Sequence, residues 1–386
     1  MRINHEGEMD MSLEFGTKKL GFGTMRPPMA SGTLADGGTV DIEQFTKMVD
    51  LFLSRGFCYF DTARSYIKGK NESIVREALV KRHPRDSFIL TDKLTTNYFE
   101  KEEDLRPLFQ QQLEDIGVEY FDYYLLHCVT AETLGKFNRC NAFEFLKEVK
   151  ETGKARHIGF SFHDRPELLE EVLSAHPEVD VVQIQLNYID YEDSGVQSRA
   201  VYEVCQKHGK PVIVMEPVKG GNLANLPEEA GAVLDALNGG SHASYAVRFA
   251  ASHEGVAMVL SGMSSLEQME DNLSYMENFQ PLNQQEREAL DKVCEIMRSQ
   301  SSIPCTGCSY CVAGCPMNIA IPDLFACYNS KQRYKTWNAP FYYSVRTGGD
   351  HGKASDCIAC GQCEQACPQH LPIPALMKDV AAAFES

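Results

Sequence analysis

Phe57-Cys58-Tyr59-Phe60-Asp61-Thr62-Ala63-Arg64-Ser65-Tyr66 decides how the chain reads. An aromatic, strand-forming run ends in a carboxylate, and a phenol follows in turn-forming sequence. Asp61 therefore stands at the carboxyl end of a buried strand and Tyr66 in the loop after it. The next two strand-like runs end alike: Phe88-Ile89-Leu90-Thr91-Asp92 leads to Lys93, and Phe121-Asp122-Tyr123-Tyr124-Leu125-Leu126 leads to His127. Four polar groups thus recur at three successive strand ends.

The same alternation extends in both directions. Upstream, Leu20-Gly21-Phe22-Gly23-Thr24-Met25 is a short strand with glycines where the backbone comes close to something. A loop over 26–39 leads to a helix over 42–54 with Phe45, Met48, Val49 and Phe52 on one face, stopped by Gly56. Downstream, helices are expected over 71–82, 101–116, 140–152, 166–175, 196–208 and 242–252, followed in turn by apolar runs at 87–92, 121–126, 157–159, 179–184, 211–215 and 256–260. Eight strands alternating with helices predict a parallel sheet closed into a (β/α)8 TIM barrel, whose strand ends open on one face. No Gly-x-Gly-x-x-Gly opens a first helix, which counts against a doubly wound dinucleotide fold. A last barrel helix over 266–275 precedes one over 282–298, with Leu290, Val293, Ile296 and Met297 at helical spacing, that leads out of the barrel. Ser299-Gln300-Ser301-Ser302 has linker composition and divides a barrel at 1–298 from a smaller domain at 299–386.

The chain of 386 residues is 43% hydrophobic and 24% charged, enough apolar material for a full core. Its formal charge of -17 argues against nonspecific binding to nucleic acid or anionic membrane. No run approaches a membrane span of about 20 apolar residues, and Met1-Arg2-Ile3-Asn4-His5-Glu6 has no secretory character. A cytoplasmic protein is expected, with small polar substrates or protein partners. Fourteen cysteines without an export signal do not suggest disulfides. Cys58, Cys128, Cys140, Cys205 and Cys294 read as packing residues.

Eight of the others form a repeat. Cys305-x2-Cys308-x2-Cys311-x3-Cys315-Pro316 recurs 52 residues later as Cys357-x2-Cys360-x2-Cys363-x3-Cys367-Pro368. Thiolates at this spacing wrap a cubane 4Fe-4S cluster whose fourth ligand comes from the other run. One cluster then takes Cys305, Cys308, Cys311 and Cys367, and the second takes Cys357, Cys360, Cys363 and Cys315. Two zinc sites are the competing reading, but four-thiolate zinc sites rarely carry three closely spaced cysteines followed by Cys-Pro. After each Ile-Pro the pattern turns helical, over 323–333 and 375–384, with Pro322 and Pro374 as helix-starting prolines, so a mainly helical two-cluster ferredoxin domain is expected. Cys327 lies outside both runs and reads as core. Lys331, Arg333, Lys335, Arg346 and Lys353 interleave with Tyr334, Trp337, Phe341, Tyr342 and Tyr343, a composition that can bind nucleic acid. With this net charge, a long linker packed over the clusters or against the barrel is the expected role.

The set Asp61, Tyr66, Lys93, His127 resembles the catalytic tetrad of the aldo/keto reductases. Gly21-Phe22-Gly23-Thr24-Met25-Arg26 is similar to that family's opening strand, His157-Ile158-Gly159-Phe160-Ser161 to its fifth, and Ser261-Gly262-Met263-Ser264-Ser265-Leu266-Glu267-Gln268 with Asn272 to its adenosine-phosphate loop. With the clusters, the chain resembles the iron-sulfur-containing members. The resemblance implies carbonyl reduction by hydride from NADPH or NADH, with Tyr66 as general acid. Lowering a tyrosine pKa by about three units needs about 4 kcal/mol, which Lys93 supplies in a dry site if Asp61 keeps it charged and in place. His127 would orient the substrate oxygen. Ser161 and Gln183 would hold a nicotinamide carboxamide with Asn187 nearby, and Lys219-Gly220-Gly221 would meet the pyrophosphate. Two positions depart from the family. Met215 stands where a tyrosine often stacks on the nicotinamide, and Ser264, with Gln268 following, stands where an arginine or lysine usually meets the 2'-phosphate, so NADPH against NADH stays open. A hydride carries two electrons and a cluster accepts one, so a flavin intermediary is a possible further cofactor. The alternatives are a cluster-fed, flavin-assisted reductase of an organic substrate, served by a redox protein partner, and a barrel whose clusters are structural.

Overall fold

The computed structural model describes residues 15–33, 38–193, 195–299, 302–334 and 338–385. Eight parallel strands form a closed barrel: β1 Leu20–Gly23, β2 Tyr59–Asp61, β3 Ile89–Thr95, β4 Phe121–Val129, β5 Ala155–Phe162, β6 Val181–Gln185, β7 Val212–Met215 and β8 Val256–Ser261. Closure is made by β1, whose Gly21 lies opposite Tyr59 of β2 and Leu260 of β8. All eight expected strands are present.

Side chains alternate across each strand, and that alternation both builds the core and aims the site. Inward-facing Tyr59, Tyr123, Leu125, Val181, Ile213 and Met258 fill the barrel interior. Phe15 stacks on Tyr123 at 5.2 Å between ring centroids and plugs the amino-terminal end. Outward-facing Phe60, Leu90, Tyr124, Val182, Val212 and Val259 join the core shared with the helices. Two residues further along the inward series come Asp61 after Tyr59, His127 after Leu125, and Gln183 after Val181, all toward the carboxyl end. Gly159 has a packing reason: a Cβ there would lie 2.2 Å from the Val181 carbonyl oxygen, so only glycine lets β5 approach β6 this closely.

Several elements differ from the sequence expectation. Strands β3, β4 and β5 continue to Thr95, Val129 and Phe162, so Lys93 and His127 lie inside strands rather than just beyond them. The helix expected over 71–82 is Asn71–Val75 followed by a π-helical turn, Arg76–Val80. Helices Ala131–Arg139 and Glu228–Asp235 were not expected; the first is capped by Thr130, whose hydroxyl accepts the Thr133 N–H. Within the loop over 26–39, Met29–Ser31 pairs antiparallel with Thr39–Val40. Helix Gln284–Ser299 does not leave the barrel: Leu290, Val293 and Met297 pack on Tyr188, Leu223 and Tyr245 along its flank.

The cysteine-bearing segment has its own core, with Ile303, Ile319, Leu324, Phe325, Ile373 and Val380 at its centre. Helices Ile321–Tyr334 and Ile373–Phe384 follow the two Ile-Pro steps as expected. The expected linker is instead a third helix, Ala339–Arg346. It seats the module on the carboxyl-terminal face of the barrel. Arg346 is 1% exposed and donates through Nε to the Gly195 carbonyl at 2.8 Å and through Nη1 to Asp164 at 3.3 Å. Arg165 reaches back to Asp323 at 2.7 Å. The Tyr342 hydroxyl donates to Gln185 at the end of β6. Met1–Glu6, Gln300, Ser301, Lys335 and Trp337 lie outside the described residues, as does the Tyr334 side chain. Among the described residues no helix is long and apolar enough to cross a membrane.

Candidate active site

Asp61, Tyr66, Lys93 and His127 converge at the mouth of the barrel. Lys93 Nζ lies 2.6 Å from Asp61 Oδ1, 2.9 Å from the Thr62 carbonyl and 3.2 Å from the Tyr66 hydroxyl. Gln183 Nε2 donates to the other Asp61 oxygen at 3.3 Å. The Tyr66 and His127 rings meet edge to face at 5.7 Å between centroids. His127 Nδ1 is 2.8 Å from Thr95 Oγ1 and 3.3 Å from Ser65 Oγ.

The loop that carries Tyr66 is strained and tied down. Ile67 and Lys68 take φ of 51° and 53°, a left-handed conformation costly for any residue with a Cβ and most of all for a β-branched one. Asn71 holds the loop to the first strand, donating to Thr24 Oγ1 at 2.7 Å and Thr62 Oγ1 at 2.6 Å. Arg64 anchors its other side on buried Glu72 at 2.7 Å and on Asp115 at 2.9 Å.

Burial competes with charge at each titratable group. It pulls the Lys93 ammonium down, but Asp61 and Tyr66 outweigh it and the pKa ends above the usual lysine value. Burial raises Asp61 while Lys93 pulls it back, with a net upward shift. Burial pushes the Tyr66 phenol up to about 12 against the opposing pull of Lys93. The expected net acidification of Tyr66 is therefore absent in the chain itself: loss of water outweighs one ammonium, and Asp61 adds an unfavourable charge. Burial, then the charges of Lys93 and His163, hold His127 well below the ordinary histidine range, so its imidazole is neutral at pH 7.

The residues expected to hold a nucleotide behave unequally. Gly23 lies in register with Asp61, and the Thr24 N–H and hydroxyl both donate to the Asp61 carbonyl at 2.9 Å. Ser161 Oγ accepts the Cys128 N–H at 2.7 Å, a bond that does not use its own proton. Gln183 Oε1 and Asn272 Oδ1 are buried with no hydrogen-bond partner. Two orphaned buried oxygens at these positions fit a polar ligand that reaches both, as an extended dinucleotide would. Asn187 instead has all four hydrogen-bonding positions taken, by Asp190 Oδ2, the Glu216 carbonyl, and the N–H groups of Ile189 and Asp190, so it shapes the loop. Lys219, expected at a pyrophosphate, is buried with its ammonium 2.5 Å from Asp190, and the neighbouring Gly220 and Gly221 keep positive φ. Met215 ends β7, inward-facing by the alternation from Ile213. Gly262 lies beside Arg26, Ser264 donates to the Arg26 carbonyl at 2.8 Å, and Gln268 accepts the Ser264 N–H at 2.7 Å.

Sequence reasoning missed Arg26, Glu216, Thr95 and Tyr342. Arg26 pairs with Glu216 at 3.1 Å, bridging the loops after β1 and β7 across the mouth. Thr95 was readable, being the next inward position after Lys93. Nothing local marks Tyr342, which is 157 residues from its partner Gln185. Of the cysteines assigned to packing, Cys140, Cys205, Cys294 and Cys327 are buried, while Cys58 and Cys128 are half-buried. Cys128, beside His127, takes a left-handed φ of 63°.

The cysteine runs interlock. One hollow is ringed by Cys305, Cys308, Cys311 and Cys367, and another by Cys315, Cys357, Cys360 and Cys363. Each therefore combines three cysteines of one run with the fourth of the other. Among the described residues no three His, Cys, Asp or Glu side chains converge to hold a single metal ion. Four thiols around a hollow fit a cubane cluster, with Ile321 and Ile373 beside it as apolar walls.

A closed β/α barrel with this site at its mouth, joined to a cysteine-cluster module, defines an oxidoreductase. The chain belongs to the aldo/keto reductase family, whose profile matches residues 19–295. A 4Fe-4S dicluster domain follows over residues 304–371. Among curated relatives, the uncharacterized oxidoreductase YqkF of Bacillus subtilis is 23% identical over 274 residues, covering 63% of this chain and 85% of its own. Protein REDOX 2 of Catharanthus roseus is 22% identical over 322 residues, covering 76% and 93%. Among solved structures, the holo form of aldo-keto reductase AKR11C1 from Bacillus halodurans superposes with a TM-score of 0.56 at 25% identity, over 72% of this chain and 95% of that one. An aldo/keto reductase of Klebsiella pneumoniae, solved with NADP and acetate, shares the fold with a TM-score of 0.57 at 21% identity, over 71% and 90%.

Proposed function

We propose that the chain reduces a small carbonyl compound with Tyr66 as general acid, in two units at 1–298 and 299–386, and that it works in the cytoplasm. When bound, NAD(P)H supplies the hydride and two 4Fe-4S clusters supply one-electron storage. The observation that carries this reading is Lys93 Nζ, 3.2 Å from the Tyr66 hydroxyl and 2.6 Å from Asp61. A phenol at about 12 is protonated at rest, as a proton donor must be. It remains a far stronger acid than an alcohol, so proton transfer to a forming alkoxide is downhill. Lys93 stabilises the phenolate as it forms, and Asp61 keeps Lys93 charged and in place. In the tautomer that lets Thr95 donate to Nδ1, neutral His127 carries its proton on Nε2, where it can hydrogen-bond the substrate oxygen.

Gln183 and Asn272, with their orphaned oxygens, would hold the nicotinamide and adenine ends, helped by Ser161. The NADP bound to the Klebsiella pneumoniae aldo/keto reductase supports a nicotinamide dinucleotide. The two cysteine rings would each hold one cluster. Tyr66→Phe tests the mechanism: NAD(P)H-dependent reduction of 4-nitrobenzaldehyde should fall to background while dithionite still bleaches the cluster absorbance. Retained reduction would refute Tyr66 as the acid.

A further inference from the structure

A cavity of about 510 Å³ lies between the barrel face and the cysteine module, within the range of cofactor sites. Its lining includes Cys305, Thr306 and Gly307, so its occupant would lie against a residue of the first cysteine ring. Lys219 and Tyr342 line it as well. Tyr342 is anchored on Gln185, two residues beyond Gln183 of the catalytic mouth. The space therefore lies between the cysteine module and the barrel loops, against a residue bonded to the end of β6.

Its lining says what fits. Pro322, Ala326, Ala339 and Gly195 are small or compact members of the lining, which leaves room for a ring system. Its carboxylates are already engaged. Asp190 takes Lys219, Gln185 and Asn187; Asp193 accepts the N–H groups of Gly195 and Val196 at 2.9 and 3.1 Å; and Glu192 pairs with Arg199 at 2.9 Å. The cations on its lining, besides Lys219, are Arg298 and Arg333, and Arg333 donates to the Arg298 backbone carbonyl at 3.3 Å. Two arginines on a lining whose carboxylates are already engaged suit a phosphate monoester.

We propose that this cavity binds a flavin mononucleotide-class cofactor, its ring in the slot between Cys305 and Tyr342 and its phosphate at Arg298 and Arg333. Such a cofactor resolves the mismatch between a two-electron donor and one-electron clusters. Hydride from NAD(P)H converts the oxidised flavin to its anionic reduced form, leaving NAD(P)+. The reduced flavin then releases two electrons singly, one to each cluster, and one proton to solvent. The electron source rests on the function proposed above; the binding site does not.

FMN is titrated anaerobically into the cluster-loaded full chain, with quenching of flavin fluorescence as the readout and AMP as competitor. One FMN per chain should bind and AMP should displace it poorly. Arg298→Glu combined with Arg333→Glu should weaken binding at least tenfold, and Ala326→Trp, which fills the slot, should abolish it, each with cluster absorbance unchanged. If Ala326→Trp disturbs the clusters, the arginine pair decides. NADPH should then bleach the clusters only when FMN is present. The proposal is overturned if FMN fails to bind, if the charge-reversed pair binds it as well as the parent, if AMP displaces it equally, or if NADPH bleaches the clusters without it. Carbonyl reduction measured without FMN reports separately on the Tyr66 mechanism.

Discussion

Replacing Lys93 with methionine keeps the side chain's length and apolar body and removes only the ammonium. That charge lies 3.2 Å from the Tyr66 hydroxyl. At an effective dielectric of about 20, an ammonium and a phenolate at this distance attract by about 5 kcal/mol. If half of the phenolate charge has developed in the transition state, the loss is about 2.6 kcal/mol, and if all of it has, about 5. Those values correspond to a fall in kcat of about 10² to 10⁴. KM should move little, because neutral Tyr66 in the ground state gains little from the ammonium. The same change leaves Asp61 buried without its partner, a cost of about 3 to 5 kcal/mol to stability. Asp61 reduces that cost by taking up a proton, toward which burial already biases it. The assay is NADPH-dependent reduction of 4-nitrobenzaldehyde on protein whose circular dichroism and cluster absorbance match the parent. A folded Lys93→Met chain that loses less than about fivefold in kcat would refute the electrostatic role given to Lys93.

Arg346→Met should cost about 3 to 5 kcal/mol by leaving buried Asp164 and the Gly195 carbonyl without their partner, read as a lower urea midpoint; an unchanged midpoint would mean the module is only loosely seated. Cys367→Ser and Cys308→Ser should impair the same cluster, and Cys315→Ser the other, as judged by electron paramagnetic resonance of the reduced protein; pairing of Cys367 with Cys360 instead would contradict the crossed rings. Burial, and then Lys93, pushes the His163 imidazole down to about 4 from 6.5. A depressed folded pKa contributes stability that is complete above pH 6.5 and lost as pH falls toward 4. His163→Phe should therefore flatten the stability profile across that window, and a profile as steep as the parent's would assign the loss to other groups.

The barrel was legible because each strand is a short apolar or aromatic run at regular spacing, and the period of two carries from Tyr59 to Asp61 and from Leu125 to His127. Strand ends were less legible. Lys93 and Thr95 are polar yet continue β3 inward, where a polar residue in the sequence reads as a terminus. Helices Ala131–Arg139 and Ala339–Arg346 escaped because their apolar faces are short and their partners lie elsewhere in the chain. Arg346 reads as one of several surface cations, and only tertiary structure shows it buried against Gly195. The tetrad's membership was legible and its electrostatics were not: the pKa of Tyr66 depends on how much water is excluded, which no spacing of residues reports.

Because each cysteine ring borrows its fourth thiol from the other run, a ribosome delivers Cys305, Cys308 and Cys311 well before Cys367 can complete their set. All eight barrel strands have been synthesised by then, so the barrel can fold while the module is still a chain of open thiols. Those thiols meet oxygen before they meet their last partner, and oxidation at that stage would leave Arg346 and Tyr342 without the packed core that seats them. Iron supply and oxygen tension during synthesis should therefore set how much of the protein carries a closed face over its barrel, separately from how much barrel is made.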